Sequence, residues 1–170
     1  MNTKTGNPIV STQKLKAMMD HLQGRNRQDF ILFSIGIHTW LKFEDLLMLK
    51  GENIGEDHIK ISESSTKKLQ RILISEEIKG DLVSFIRNKP HGHYLFYRET
   101  DREQAKTDTL SKLKAAAEAA GIPEFDEETM RKTFVFHALQ QDFPLPLLQE
   151  ALGFPSPDSV LEYIGMGEAG

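Results

Sequence analysis

Two histidines that flank a glycine, His91 and His93, are the first candidates for chemistry, because neighbouring imidazoles can both bind a metal ion. No third ligand stands at a helical or strand spacing from them, so we predict an exposed turn, with no metal and no cofactor. Common enzyme motifs are also missing: no glycine-rich phosphate loop joins a strand to a helix, and no serine lies in a nucleophile elbow. What remains are charged and aromatic residues distributed over several segments.

The composition predicts a single domain with its own hydrophobic core. Of the 170 residues, 39% are hydrophobic and 27% are charged, which excludes a disordered tail. No run of about 18 consecutive apolar residues occurs, so we expect no membrane span. The polar segment Met1 to Pro8 lacks the apolar region of a signal peptide. Because the chain has no cysteine, it suits a reducing environment, and we expect it in the cytoplasm.

Charge is distributed unevenly along the chain. The net charge is −4, which argues against a protein held to nucleic acid by bulk charge alone. Five basic residues stand against one acidic residue between Met1 and Gln28, whereas nine acidic residues oppose Arg131 and Lys132 between Ile122 and Gly170. A local basic surface therefore remains compatible with the composition, as does ordinary surface variation.

Hydrophobic spacing predicts a mainly α-helical domain with a small antiparallel β-sheet. The segments His58–Ser62 and Gln70–Ser75 are short and β-branched, so they are predicted strands, joined by a connection with Lys67 and Lys68 at its tip. Capping residues, helical periodicity and stop residues predict helices in eight places: from Ser11 or Thr12 to Gly24, from Arg25 through Ile37, over Phe43–Lys50, from Ser75 to Asn88, from Asp108 or Thr109 to Gly121, from Asp126, from Pro144 and from Pro157.

Several segments resemble, in order and spacing, the C-terminal catalytic domain of tyrosine recombinases, the phage-integrase family. Residues 36–54 (GIHTWLKFEDLLMLKGENI) resemble the first arginine box, TGLRxxELLxLxWxDI, and the strand pair resembles the lysine-bearing hairpin. Residues 128–137 (ETMRKTFVFH) resemble HxLRHTFATH, and residues 147–166 (LLQEALGFPSPDSVLEYIGM) resemble VQxLLGHxSxxTTxxYxH. The resemblance covers roughly Thr12 to Met166. It implies the recombinase catalytic-domain fold for residues 1–170, as one domain without a counterpart of the N-terminal DNA-clamping domain.

The resemblance also implies a reaction at a DNA phosphodiester. In this family a tyrosine hydroxyl attacks the phosphate, giving a 3′-phosphotyrosyl bond and a free 5′-hydroxyl. Arginine forks stabilise the charge on the phosphate, and a lysine or histidine supplies protons. The nucleophile position falls on Tyr163, the second arginine on Arg131, and the hairpin lysine on Lys67 or Lys68. Lys132, beside Arg131, is a further candidate for DNA binding.

Each of these residues also has an ordinary structural interpretation. Tyr163 could be an amphipathic helix residue that packs on its neighbours. Arg131 could be a surface arginine paired with Glu127 or Glu128, and adjacent lysines in a turn are most often solvated.

Four positions depart from the family pattern. Lys42 stands at the first arginine, where it keeps charge but loses the planar fork, and Asp45 replaces a glutamate. Glu128 stands at a histidine; an anion there opposes a phosphate by about 4 kcal/mol at 4 Å and an effective dielectric near 20. Phe154 stands where a histidine or tryptophan donates to the phosphate, and losing one such donor costs on the order of 100- to 1,000-fold in rate.

These departures favour a DNA-binding protein of the family whose site-specific recombination activity is lost or weak, acting in DNA integration and recombination or in its regulation. One alternative is an active, divergent recombinase that cleaves DNA through Tyr163 with Lys42, Arg131 and a hairpin lysine. The other is a helical interaction domain that no longer binds DNA. We expect double-stranded DNA as the partner, with another recombinase subunit or a second copy as a further partner, and a bacterial or phage origin.

Overall fold

The computed structural model describes residues 6–62, 67–87, 89, 92–97 and 102–166. The predicted fold class is confirmed, since a mainly helical chain carries one two-stranded antiparallel sheet. Its helices and strands are α1 (Thr12–Arg25), α2 (Arg27–His38), α3 (Phe43–Leu47), β1 (His58–Ser62), β2 (Leu69–Leu73), α4 (Glu76–Ile86), α5 (Arg102–Ala119), α6 (Thr129–Gln140), α7 (Leu145–Leu152) and α8 (Pro157–Tyr163).

Short polar side chains set the starts of several helices. The Ser11 hydroxyl accepts a hydrogen bond from the Lys14 amide at 3.2 Å, and Ser75 accepts from Glu77 at 3.3 Å. Each satisfies one of the amides that a helix leaves unpaired in its first turn. Both serines are predicted caps, and α1 and α4 begin one residue after them.

Two predicted helix boundaries are wrong because residues there form hydrogen bonds outside the helix. Helix α3 ends at Leu47 instead of Lys50, because Lys50 forms an antiparallel bridge with Tyr94 and the Leu49 carbonyl accepts from the Leu95 amide. Helix α6 begins at Thr129 instead of Asp126, because the Asp126 carboxylate instead accepts from the Glu128 amide just before the helix.

Two further boundaries differ from the prediction. Helix α5 begins at Arg102, before the predicted Asp108, because its first residues favour helix and Gln104 donates to Asp108 one turn on. Strand β2 ends at Leu73, since the Ile74 amide donates to the Asp57 carbonyl and Ser75 caps α4. Pro90 and His91, at the centre of the predicted turn, lie outside the residues that the structure describes.

The main core surrounds α2, the predicted central helix. Residues 29–36 of α2 are all buried, and Phe33 is fully enclosed. Gly36 allows α2 to approach α6 closely, because a β-carbon there would lie 3.1 Å from Cβ of Met130. This contact holds the start of α6 against the centre of the domain.

A second, smaller cluster holds the last two helices. Its buried members come from α6, from α7, from α8 and from the residue after α8: Val135, Leu148, Leu152, Val160 and Ile164. Trp40, between α2 and α3, packs against both the main core and this cluster. The α7–α8 pair is thus attached to the domain through α6 and Trp40.

None of the described helices is both long enough and apolar enough to cross a membrane.

Candidate functional site

Five predicted site residues form one group, here called the α6–α8 cluster, at the start of α6, in the connection between α7 and α8, and at the end of α8: Glu128, Arg131, Lys132, Phe154 and Tyr163. Cζ of Arg131 lies 5.8 Å from the ring centroids of both Phe154 and Tyr163. Nζ of Lys132 lies 5.2 Å from the Tyr163 ring. The two aromatic rings meet edge to face, with centroids 5.2 Å apart. Two cations therefore lie within cation–π distance of Tyr163.

The Tyr163 hydroxyl donates a hydrogen bond of 2.5 Å to Oε1 of Glu128. Burial of the phenol, reinforced by the negative charge of Glu128, raises the pKa of Tyr163 well above its usual value. Arg131 acts in the opposite direction but does not outweigh these two causes. At neutral pH the hydroxyl is consequently protonated, and a protonated phenol is a weaker nucleophile than a phenolate.

This raised pKa predicts a loss of stability at alkaline pH. An unfolded tyrosine ionises near pH 10, whereas folding keeps Tyr163 protonated, so its contribution is complete below about pH 10 and is lost as the pH rises. Relative to Tyr163→Phe, the free energy of unfolding should fall by up to about 1.4 kcal/mol per pH unit above that point. Denaturant unfolding of both proteins between neutral and alkaline pH measures the difference. If the free energies of unfolding of the two proteins depended on pH in the same way, the raised pKa of Tyr163 would be contradicted.

Arg131 is held in place by a backbone contact. It is only 6% exposed, and its Nε donates to the Trp40 carbonyl at 2.8 Å. The alternative pairing with Glu127 is not seen, because Glu127 lies 3.1 Å from Nζ of Lys106. Sequence reasoning missed this contact, because it is made by the backbone carbonyl of residue 40 and not by its side chain.

The predicted residues of the first box lie beside this contact. Lys42 is two residues beyond Trp40, half-buried at the start of α3, and Asp45 is 2% exposed within α3. The segment that contains Lys42 therefore also contains the Trp40 carbonyl, which accepts the hydrogen bond from Arg131. Lys42 and Asp45 are not among the contacts that define the α6–α8 cluster.

Lys132 is a buried cation. It is 6% exposed, and burial lowers the pKa of its ammonium group, while Asp126 and Glu128 act in the opposite direction. Its charge lies under the surface of the cluster, with the Tyr163 ring beside it.

The hairpin lysines lie elsewhere on the surface. Lys67 and Lys68 follow the undescribed residues 63–66, and both side chains are exposed. Lys67 has a φ of 62°, a left-handed turn conformation. Neither lysine is part of the α6–α8 cluster, so the choice between them as the family's hairpin lysine stays a prediction.

The described part of the chain holds no group of three or more histidine, cysteine, aspartate or glutamate side chains that could bind a metal ion.

Solved structures with a similar fold include a recombinase and the catalytic domain of an integrase. The fold is similar to that of XerA recombinase, with a TM-score of 0.78, 16% identity and 99% of this chain covered. It is also similar to the catalytic domain of bacteriophage HP1 integrase, with a TM-score of 0.67 and 16% identity over 96% of this chain and 90% of that one. The match spans about 62% of the XerA chain.

These similarities define a tyrosine recombinase catalytic-domain fold. Sequence comparison gives the family: residues 9–167 match the phage integrase family, and the chain belongs to it. A relative with 32% identity over 163 residues is the probable integrase/recombinase YoeC of Bacillus subtilis strain 168, with 95% of this chain and 90% of YoeC covered.

Proposed function

We propose that residues 1–170 act as one integrase-like domain that binds DNA, in integration and recombination or their regulation, and that its strand-cleaving activity is lost or weak. The observation that carries this proposal is the hydrogen bond from the Tyr163 hydroxyl to Glu128. A carboxylate bound to the nucleophile position places negative charge where a scissile phosphate would have to bind. Phe154 adds a second deficit, because a phenyl ring donates no hydrogen bond to a phosphate.

DNA binding is supported by the cations that remain. Arg131 and Lys132 lie together at the start of α6, where the helix dipole also favours an anion. The fold is shared with a lambda integrase dimer bound to a core site, at a TM-score of 0.70 and 12% identity, with 99% of this chain and 63% of that chain covered. Double-stranded DNA is therefore the proposed partner, alone or with another recombinase subunit.

The second candidate is an active, divergent recombinase. It is favoured by the same cluster, because Arg131 and Lys132 both lie against Tyr163. In that case Lys42, Arg131 and a hairpin lysine, Lys67 or Lys68, would suffice for cleavage through Tyr163, and Glu128 would move away when a phosphate binds.

One experiment with two readouts separates these functions. The protein is incubated with a nicked duplex that traps covalent intermediates, and DNA retention is measured as the salt concentration increases. We expect retention that falls steeply with salt, because phosphate contacts release counterions, and no adduct beyond a trace. An adduct that survives denaturation and disappears in Tyr163→Phe would establish the active recombinase. If the protein did not retain DNA even at low salt, the result would favour the helical interaction domain that no longer binds DNA.

A further inference from the structure

A pocket of about 280 Å³ lies between α1, the start of α2 and α5. Its lining includes the buried side chains of Leu22, Asp29 and Ala116. Small-molecule pockets in proteins begin at about 300 Å³, so this volume suits a small organic molecule. None of the lining residues belongs to the α6–α8 cluster.

The carboxylate of Asp29 in this pocket is buried and lacks a partner. Asp29 is 2% exposed, and its Oδ2 atom has no hydrogen-bond partner in the described structure. Its backbone amide donates to Oδ1 of Asn26 at 3.1 Å, which fixes the residue in the first turn of α2. Burial raises the pKa of Asp29, while the positive charge of Lys112 acts in the opposite direction. Because an unpaired buried polar atom costs free energy, a ligand that donates to this carboxylate would stabilise the folded protein.

Basic side chains line the same pocket. Arg25 at the end of α1 and Lys112 on α5 are exposed, and His21 on α1 is half-buried. In the part of the chain that the structure describes, neither Arg25 nor Lys112 forms an ion pair within the protein. The pocket therefore combines one buried carboxylate with cations near the solvent.

This combination disfavours ligands whose charge has a single sign. A metal ion or a polyamine would pair with Asp29 but would be repelled by Arg25 and Lys112. Hard metal ions also prefer several oxygen ligands, whereas the pocket lining offers one carboxylate. An isolated phosphate would be attracted by the cations and opposed by Asp29. A zwitterion satisfies both kinds of group.

We propose that this pocket binds a free α-amino acid with a small apolar side chain. The ammonium group of the ligand donates to the carboxylate of Asp29, and its own carboxylate pairs with Arg25 and Lys112. Its side chain contacts the apolar wall at Leu22 and Ala116. This site goes beyond the proposed DNA binding, and neither proposal depends on the other.

The first test compares three probes of nearly equal size on the ¹⁵N-labelled protein. L-alanine carries both charges, ethylamine carries the ammonium group alone, and propionate carries the carboxylate alone. We expect L-alanine to cause saturable shifts of the amide signals of Asp29 and Ala116. Ethylamine and propionate should bind at least about 10-fold more weakly, because each lacks one set of charge-assisted hydrogen bonds.

The second test uses matched variants. Asp29→Asn removes the buried charge at nearly constant size and should weaken L-alanine binding by about 10-fold or more. Asp20→Asn removes the same charge from an exposed site on α1, where Asp20 pairs with Lys16, and should leave the binding unchanged. Lys112→Gln alters only an exposed side chain, so it should fold like the parent and weaken binding up to about 5-fold. The thermal midpoint of each variant without ligand shows whether its fold is intact.

The outcomes that contradict the proposal are distinct from one another. If L-alanine caused no saturable shifts, the pocket would not be an amino-acid site, and ordered water would be left as the partner of Asp29. If ethylamine or propionate bound as tightly as L-alanine, the pocket would be a site for a cation or an anion and the proposal would be wrong. Unchanged L-alanine binding in both Asp29→Asn and Lys112→Gln would place the amino acid elsewhere on the protein.

Discussion

Glu128→His combined with Phe154→His should form a covalent DNA adduct at least about 100 times faster than the parent protein. The first change removes the carboxylate that accepts the Tyr163 hydrogen bond, and with it a charge that opposes the phosphate. Each histidine also adds a hydrogen-bond donor, and one preorganised donor is typically worth about 100- to 1,000-fold in rate. The two gains need not multiply, because groups that act as a unit are not additive.

Two control variants make this result specific. Tyr163→Phe in the double-histidine background should abolish the adduct. Glu128→Met alone removes the charge and adds no hydrogen-bond donor, so a full gain with Glu128→Met would assign the whole deficit to repulsion. An adduct rate that does not rise in the double variant, with folding intact by thermal unfolding, would mean that Glu128 and Phe154 are not what limits the chemistry.

Arg131→Ala should weaken DNA binding by about 2 kcal/mol or more, roughly 30-fold, and make its salt dependence shallower by about 0.9. Arg131 is the buried guanidinium of the cluster, with Nε bound to the Trp40 carbonyl and the group lying against Tyr163 at the start of α6, and a guanidinium is the side chain best suited to bind a phosphate. Binding isotherms at several salt concentrations measure both effects. Equal affinity of variant and parent at every salt concentration would contradict a phosphate site at Arg131.

Because Arg131 is buried, its removal can also affect folding. Arg131→Lys retains the charge without the planar fork, so we expect it to keep most of the salt slope while losing part of the affinity. Arg25→Ala, at an exposed site on α1, is the matched control and should leave the slope near that of the parent. The thermal midpoint of each variant shows whether lost binding reflects lost structure.

Much of the fold follows from local signals in the sequence. Serine caps at Ser11 and Ser75 predict where α1 and α4 begin, and the apolar character of residues 29–36 predicts the central helix. The boundaries that fail are those decided by distant backbone pairing. The end of α3 is one example, because Lys50 pairs with Tyr94, far along the chain.

In the candidate site, too, the sequence predicts which residues take part but not which contacts they make. Residue types at family positions predict that Arg131, Glu128, Phe154 and Tyr163 belong together. They do not predict which atoms meet, because the Tyr163–Glu128 contact joins residues 35 apart and depends on how α8 packs on α6. The Trp40 carbonyl that receives Arg131 carries no side-chain signature at all.

Trp40 makes the connection between the two hydrophobic clusters directly observable. It is the only tryptophan of the chain, and it packs on the main core and on the cluster that contains α7 and α8. Its indole nitrogen is buried, with no hydrogen-bond partner in the described structure. Its intrinsic fluorescence is therefore an unlabelled reporter at a known position. If the helix that carries Tyr163 separates from the domain, water reaches the indole and the emission shifts to longer wavelength.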